Sequence, residues 1–297
     1  MHDDEIDIDG MLVRRLLAAQ FPQWADLPLK PVRPLGTDNA LYRLGDGMVV
    51  RLPRTERTAG TLEKERLWLP RLAPFLPLPV PFPLADGTPT EDYPLSWSVY
   101  RWLEGETAAP ERITDAGLFA HDLAGFVGEL QAIDAAGGPA PGEHNFFRGA
   151  PVSVLDTATR GAIDALHGEI DVKRATAVWE EALAAPRWDR PPVWVHGDLD
   201  SRNLLVRDGR LAAVIDFGGL GVGDPACDVM SVWKVVAPVD RDIFRRDLGV
   251  DDATWARARG WIVFQSCSAL SYYTMENNRA LVVEARRWLS AVLGSPE

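Results

Sequence analysis

One stretch constrains this chain more than any other. Val193-Trp194-Val195 leads into His196-Gly197-Asp198-Leu199-Asp200-Ser201-Arg202-Asn203, then Leu204-Leu205-Val206, Arg207-Asp208-Gly209-Arg210, and an apolar run from Leu211 to Ile215 that ends on Asp216. Asp208-Gly209 between two apolar runs predicts a hairpin. Folding about that turn returns Asp216 to the side of Asn203, since facing positions on a hairpin lie about 5 Å apart at Cβ. A carboxamide and a carboxylate are thus expected at the hairpin's open end. Both are hard oxygen ligands, suited to Mg²⁺ held mainly by phosphate and water. Asp198 stands on the loop entering the hairpin, where it can orient a hydroxyl and accept its proton. Phosphoryl transfer asks for little beyond such positioning and charge neutralisation.

Asp and Asn are also ordinary turn formers at strand ends. No single one of them decides the chemistry; the set placed by one hairpin does. A metal-dependent hydrolase is a rival use of His196 and Asp198. It normally draws on more His and carboxylate ligands, and the chain has five His in all.

The rest of the chain divides around this stretch. Asp9 is placed to cap a helix through Met11-Leu12 and Leu16-Leu17 that stops near Phe21-Pro22. Short strand-like runs follow at Val32 to Leu35, Ala40 to Leu44 and Met48 to Leu52, the last two joined by Gly45-Asp46-Gly47. A helix is expected from Thr58 to Leu69, ended or kinked by Pro70. The prolines from Pro74 to Pro83 require an extended path, and a strand from Ser96 to Leu103 closes the β-rich part. From Ile113 the spacing turns helical, through Leu118, Leu123, Phe126, Val127 and Leu130. Residues 171–184 and most of 223–293 also read as helix. The expected fold class is α+β, with a small β-rich part (1–103, including a leading helix within 1–28) and a larger, mostly helical part (104–297).

His196-Gly197-Asp198 with Asn203, then Asp216-Phe217-Gly218, resembles the catalytic loop and metal motif of the protein-kinase-like superfamily. With Ile215-Asp216-Phe217-Gly218-Gly219 and Gly223-Asp224-Pro225-Ala226-Cys227-Asp228, the chain is similar to the aminoglycoside phosphotransferase family over most of its length. Gly197 stands where protein kinases usually have Arg. The resemblance implies a two-lobed kinase-like fold, an N-lobe binding a nucleoside triphosphate (ATP, or GTP in its place) with Mg²⁺, and a C-lobe binding the acceptor. It implies Asp198 as the catalytic residue and Asn203 and Asp216 as metal ligands. His196 is expected to brace the loop, Asp224 to cap the next helix ahead of Pro225, and Asp228 to tie that helix to the loop.

On the nucleotide side, Arg51 in Met48-Val49-Val50-Arg51-Leu52 occupies the place of the strand lysine that binds phosphates and pairs with a helix Glu. Arg also binds phosphate and carboxylate, with different geometry. Glu63 and Glu65 compete as its partner. At about 100° per residue, Glu65 lies about 60° from Leu62 on the apolar face, and Glu63 about 100°, so Glu65 is expected to point inward. Gly36-Thr37-Asp38-Asn39 is the expected phosphate-covering turn, with Gly36, Thr37 and Asn39 as contacts. Val49 is expected to roof the adenine, and Tyr100, Arg101 and Leu103 to form the linker that meets it.

Acceptor contacts are expected on the second lobe, with Asp200, Arg202 and Glu276 as candidates. The net charge is −12, split as −2 over residues 1–103 and −10 beyond. This argues against nucleic acid, whose phosphates need a basic footprint, and suits a cationic, hydroxylated small molecule. No apolar run approaches the roughly 18 residues that cross a bilayer, and Met1 to Gly10 lacks the order of a signal peptide, so a cytoplasmic protein without membrane partners is expected. Within the family resemblance, an aminoglycoside or related antibiotic is the favoured acceptor. A macrolide, another amino sugar, or a choline-like or homoserine-like metabolite stays open, as does a non-catalytic nucleotide-binding regulator of the same fold.

Overall fold

Asp9 opens the first helix by accepting the Leu12 N–H at 2.7 Å, a side-chain cap that satisfies one of the orphan donors of the first turn. The helix, α1 (Gly10–Gln20), buries Leu12, Val13, Leu16 and Leu17. The computed structural model describes residues 6–32 and 38–294. It divides the chain into two units: Met1–Gly105 with Ala212–Gly218, and Glu106–Leu211 with Gly219–Glu297. Residues 212–218, expected with the second lobe, therefore belong to the first.

The first unit is built on an antiparallel sheet of order β1-β2-β3-β5-β4, with β1 (Leu29–Pro31), β2 (Asn39–Leu44), β3 (Met48–Pro53), β4 (Pro83–Gly87) and β5 (Trp97–Arg101). Alternation along β2 sends Ala40, Tyr42 and Leu44 inward, where they join Val50, Leu52, Trp97 and Val99 beside the buried side of α1. Most of the run expected at Val32 to Leu35 lies outside the described residues, which omit 33–37; β1 ends just before it. Helix α2 (Glu56–Leu72) starts on Thr55, whose Oγ1 accepts the Thr58 N–H, and buries Leu62, Glu65, Leu69 and Leu72 along one face. Pro70 does not end it. Ala73 N–H still bonds to Leu69 O, and so close to the terminus the missing proline donor costs one bond without stopping the turn. The proline-rich stretch begins with a 3₁₀ turn, Ala73–Phe75, before it extends. Val214 N–H bonds to Pro79 O at 3.1 Å, which anchors the 212–218 segment in this unit.

In the second unit, β6 (Glu106–Thr107) pairs with β8 (Leu204–Arg207), in a three-stranded sheet whose last strand, β9 (Arg210–Val214), leads the chain out after Leu211. Asp208 at φ 54° and Gly209 at φ 80° make the turn that the sequence predicts. A second pair, β7 (Val193–Val195) with β10 (Gly221–Gly223), is antiparallel. Around them lie α3 (Ala116–Ala132), α4 (Asp156–Ala165), α5 (Val172–Ala184), α6 (Ala226–Val229), α7 (Ser231–Val235), α8 (Arg241–Asp247), α9 (Asp252–Tyr272) and α10 (Arg279–Leu293). Helix α9 is central and packs against α4, α5, α6 and α10. Its buried positions run consecutively from Gly260 to Val263, which is why it lacks the one-sided pattern of a surface helix. Among the described residues no helix is long and apolar enough to cross a membrane.

Candidate active site

Strand β7 delivers His196-Gly197-Asp198, and backbone geometry explains the glycine. Gly197 adopts φ 82°, and a Cβ there would sit 2.6 Å from Gly219 O and 2.9 Å from Arg148 Cγ. Gly219 is equally confined, with His196 O at 2.8 Å from its would-be Cβ. The loop is then held by Asp228, whose two carboxylate oxygens accept the N–H groups of His196 and Gly197, both at 2.7 Å. Burial pushes the Asp228 carboxyl up, while His196, those two N–H groups and Arg148 pull it back. His196 Nδ1 accepts the Asp198 N–H at 3.2 Å, so the histidine braces the loop.

Asp198 is thereby presented on a rigid turn, its side chain 41% exposed. Asn203 closes the loop: its Nδ2 donates to Asp198 O at 2.8 Å and to Asp198 Oδ2 at 3.2 Å. Its Oδ1 takes no hydrogen bond from any described residue. Asp200 and Arg202 are turned on each other. Arg202 N, Nε and Nη2 donate to Asp200 at 2.8, 3.2 and 2.5 Å, and Asp200 is buried. Burial pushes the Asp200 carboxyl up, but Arg202 and Lys234 more than offset it and hold the group below the usual carboxylate range.

Asp224 is not the N-cap residue it was expected to be, because α6 begins one residue later. Pro225 is the N-cap residue of α6; Asp224 accepts the Ala226 N–H at 3.0 Å and forms a buried pair with Arg257 at 2.7 Å. Glu276 is exposed in the turn after α9, its N–H on Thr274 Oγ1 at 3.3 Å.

Two cations near the loop were not singled out from the sequence. Lys234 on α7 is 2% exposed, with Nζ 3.9 Å from Asp198 Oδ1. Arg148 is half-buried, its guanidinium 5.3 Å from the Trp261 ring centroid and its buried Nη1 without a partner among the described residues. The sign of Lys234 lay in a lone lysine inside the apolar run Val232-Trp233-Lys234-Val235-Val236.

In the first unit, Arg51 and Glu65 form a buried pair with Nη1 to Oε2 at 2.5 Å, and Arg51 Nη2 lies 3.8 Å from Asp216 Oδ1. The inward choice of Glu65 over Glu63 is what the structure has: Glu65 is buried and Glu63 exposed. Burial works against the charge on both, raising the Glu65 carboxyl; on Arg51 it is outweighed by Glu65 and Asp216, which raise the guanidinium above its ordinary value. Asp216 sits at φ 62°, its carboxylate 52% exposed and its Oδ1 3.4 Å from Gly218 N. Lys64, also not singled out, donates to Gly218 O at 2.8 Å, and burial pushes its amine down to about 8 against the pull of Glu65.

Val49 pairs with Tyr100 across β3 and β5 and is half-buried. Tyr100 is buried with its hydroxyl unpartnered, Arg101 is exposed, and Leu103 is half-buried. Asn39 opens β2 with Oδ1 buried and unpartnered. Gly36 and Thr37 lie outside the described residues.

Among the described residues no group of three or more His, Cys, Asp and Glu is arranged to hold a metal. In the second unit Asn203 Oδ1 takes no hydrogen bond from any described residue, and in the first unit the Asp216 carboxylate is exposed; each is a hard oxygen of the kind that suits a cation held mainly by phosphate and water.

No curated protein matches the chain. Solved structures of the same fold do. The GDP complex of aminoglycoside 2'-phosphotransferase-IIIa superposes with TM-score 0.74 at 19% identity, over 97% of this chain and 99% of that one. The ternary complex of APH(2")-IIa with streptomycin and ATP gives 0.62 at 18% identity, over 97% and 99%. The macrolide 2'-phosphotransferase of Brachybacterium faecium gives 0.62 at 23% identity, again over 97% and 99%. These likenesses show the kinase-like fold expected from the sequence. Residues 30–261 match the model of the phosphotransferase enzyme family. With a braced His-Gly-Asp loop, a buried Arg–Glu pair and that match over most of its length, the chain belongs to the phosphotransferase enzyme family.

Proposed function

We propose that the protein transfers the γ-phosphoryl group of ATP to a hydroxyl of a small molecule, in the cytoplasm, with an aminoglycoside or related antibiotic as acceptor. The observation that carries this reading is the presentation of Asp198: half-exposed, on a turn fixed by Asp228, His196 and Asn203. A carboxylate so held can orient a hydroxyl and accept its proton as the phosphoryl group arrives.

Asn203 and Asp216 are the residues that would hold Mg²⁺, which when bound neutralises charge on the triphosphate. Arg51, oriented by Glu65, is the phosphate-facing cation of the first unit, and Val49, Tyr100, Arg101 and Leu103 line the adenine side with Gly36, Thr37 and Asn39 at the phosphates. Asp200, engaged by Arg202, and Glu276 remain acceptor candidates of the second unit. Solved structures of the same fold hold GDP, or ATP with streptomycin, and the net charge of −12 suits a cationic acceptor.

A macrolide-like acceptor is the second reading. Lys234, buried, and Arg148, half-buried, both act on Asp198 and suit an acceptor with few ammonium groups near its reacting hydroxyl.

A panel of hydroxylated antibiotics and metabolites, followed by ADP release and by the mass of the phosphorylated product, tests the function. Asp198→Ala is expected to keep MgATP affinity and to lower turnover about 10²- to 10⁴-fold, the range for a lost general base. Undiminished turnover in that variant would falsify the assignment. Nucleotide binding with no product from any acceptor would favour a regulator.

A further inference from the structure

A lysine is rarely buried unless it is paired, because removing an ammonium from water is costly. Lys234 is 2% exposed, yet its ammonium makes no hydrogen bond to any described residue. It lies 4.8 Å from the Trp288 ring centroid and 3.9 Å from Asp198 Oδ1. Its backbone is fixed from α10, where Arg287 Nη2 donates to Lys234 O at 2.8 Å. A residue needed there only for packing is served as well by Met, which has similar length and no charge to desolvate.

The surroundings divide cleanly. Asp198 and Asp200 attract the ammonium, Arg148 and Arg202 repel it, and burial pushes it below the ordinary lysine value. The carboxylate it approaches is the one least engaged otherwise: Asp200 is taken up by Arg202, whereas Asp198 Oδ1 accepts from no other described residue and Oδ2 is met by Asn203 Nδ2 at 3.2 Å.

We propose that Lys234 is a positioning residue for the catalytic carboxylate, holding the Oδ1 side of Asp198 while Asn203 holds the Oδ2 side. This rests on the reading of Asp198 as the base. In the transfer the acceptor O–H proton passes to Asp198, the acceptor oxygen bonds to the γ-phosphorus, and the bond from that phosphorus to the β-phosphate oxygen breaks, its electron pair leaving with ADP. Lys234 keeps its proton throughout. The Lys234–Asp198 pair therefore goes from neutral to +1 as the acceptor oxygen gains the anionic phosphoryl group, a change that favours the forward step.

The test does not depend on knowing the acceptor. The chain has four lysines, Lys30, Lys64, Lys173 and Lys234, so lysine labelled with ¹³C at Cε gives four assignable signals in the full-length protein. Asp198→Asn is expected to move the Lys234 signal and leave the other three in place. An unmoved Lys234 signal overturns the proposal, whatever the activity. With an acceptor that turns over, Lys234→Met is expected to lower kcat about 10- to 100-fold, with KM for ATP and thermal midpoint kept, and Lys234→Arg to restore part of the loss. In an Asp198→Asn background, Lys234→Met is expected to cost nothing further. Full kcat in Lys234→Met, or an equal loss in both backgrounds, also overturns it. Should Lys234→Met fail to fold, the label experiment and Lys234→Arg still decide. If Asp198→Asn moves the Lys234 signal but keeps turnover, it is the assignment of Asp198 that falls and not the pairing.

Discussion

Arg51 and Glu65 meet at 2.5 Å between a strand and a helix of the first unit, with Glu65 fully buried and only one of its carboxylate oxygens bonded. Glu65→Gln strips the arginine of its counter-charge in a desolvated place. Removing one partner of such a pair costs about 3–5 kcal/mol, to be read as a fall in the urea midpoint. Replacing both residues, Arg51→Met with Glu65→Leu, is expected to restore most of that stability while leaving MgATP affinity poor. A double variant that binds MgATP like the parent removes Arg51 from the nucleotide site.

Gly197 and Gly249 share a left-handed backbone, φ 82° and φ 67°, but differ in space. A methyl at Gly249 meets nothing within 4 Å, whereas at Gly197 it strikes Gly219 O. Gly249→Ala is expected to cost about 1–2 kcal/mol, the conformational term alone. Gly197→Ala should cost more than that and displace Asp198, lowering turnover at least tenfold. Equal costs at the two positions contradict the close approach.

Asp228 takes two backbone donors, and Asn can take one. Asp228→Asn turns an amide NH₂ toward a second N–H, so a donor faces a donor. A cost of about 1–3 kcal/mol follows from the unsatisfied buried group. Hydrogen exchange at His196 and Gly197 should quicken, with little change in α3 or α5.

Lys64 supplies a pH dependence. Burial holds its folded-state pKa at about 8, below the ordinary lysine value of 10.5. Between these values the unfolded chain binds more protons than the native one, so this contribution to stability rises with pH through that window and is flat below it. The thermal midpoint of the parent relative to Lys64→Met should therefore climb from pH 8 to pH 10. A constant difference contradicts the burial of the amine.

Local chemistry made much of this legible. Asp9 and Asp208-Gly209 act through their own neighbours in sequence, so cap and turn were readable. Glu65 over Glu63 followed from helical angle alone. Helix α4 was not anticipated, since Asp156-Thr157-Ala158-Thr159-Arg160-Gly161 mixes small and polar residues with no apolar stripe. Pro70 misled because a proline's effect depends on how close the helix end is. Lys234 and Arg148 escaped for a different reason. The role of such a cation is set by partners distant in the chain, Asp198 for Lys234 and Trp261 for Arg148; the apolar run around Lys234 signals its burial but not its partner.

The first unit is discontinuous: Ala212–Gly218 returns to it long after the chain has left at Gly105. A gene fragment stopping at Gly105 keeps Arg51 with Glu65 but loses Asp216 and the Gly218 carbonyl that receives Lys64. The unit is therefore not a portable cassette. Exchange between relatives must carry the later seven-residue segment along with the amino-terminal stretch, and a recombination point anywhere between the two splits one electrostatic cluster across two parents.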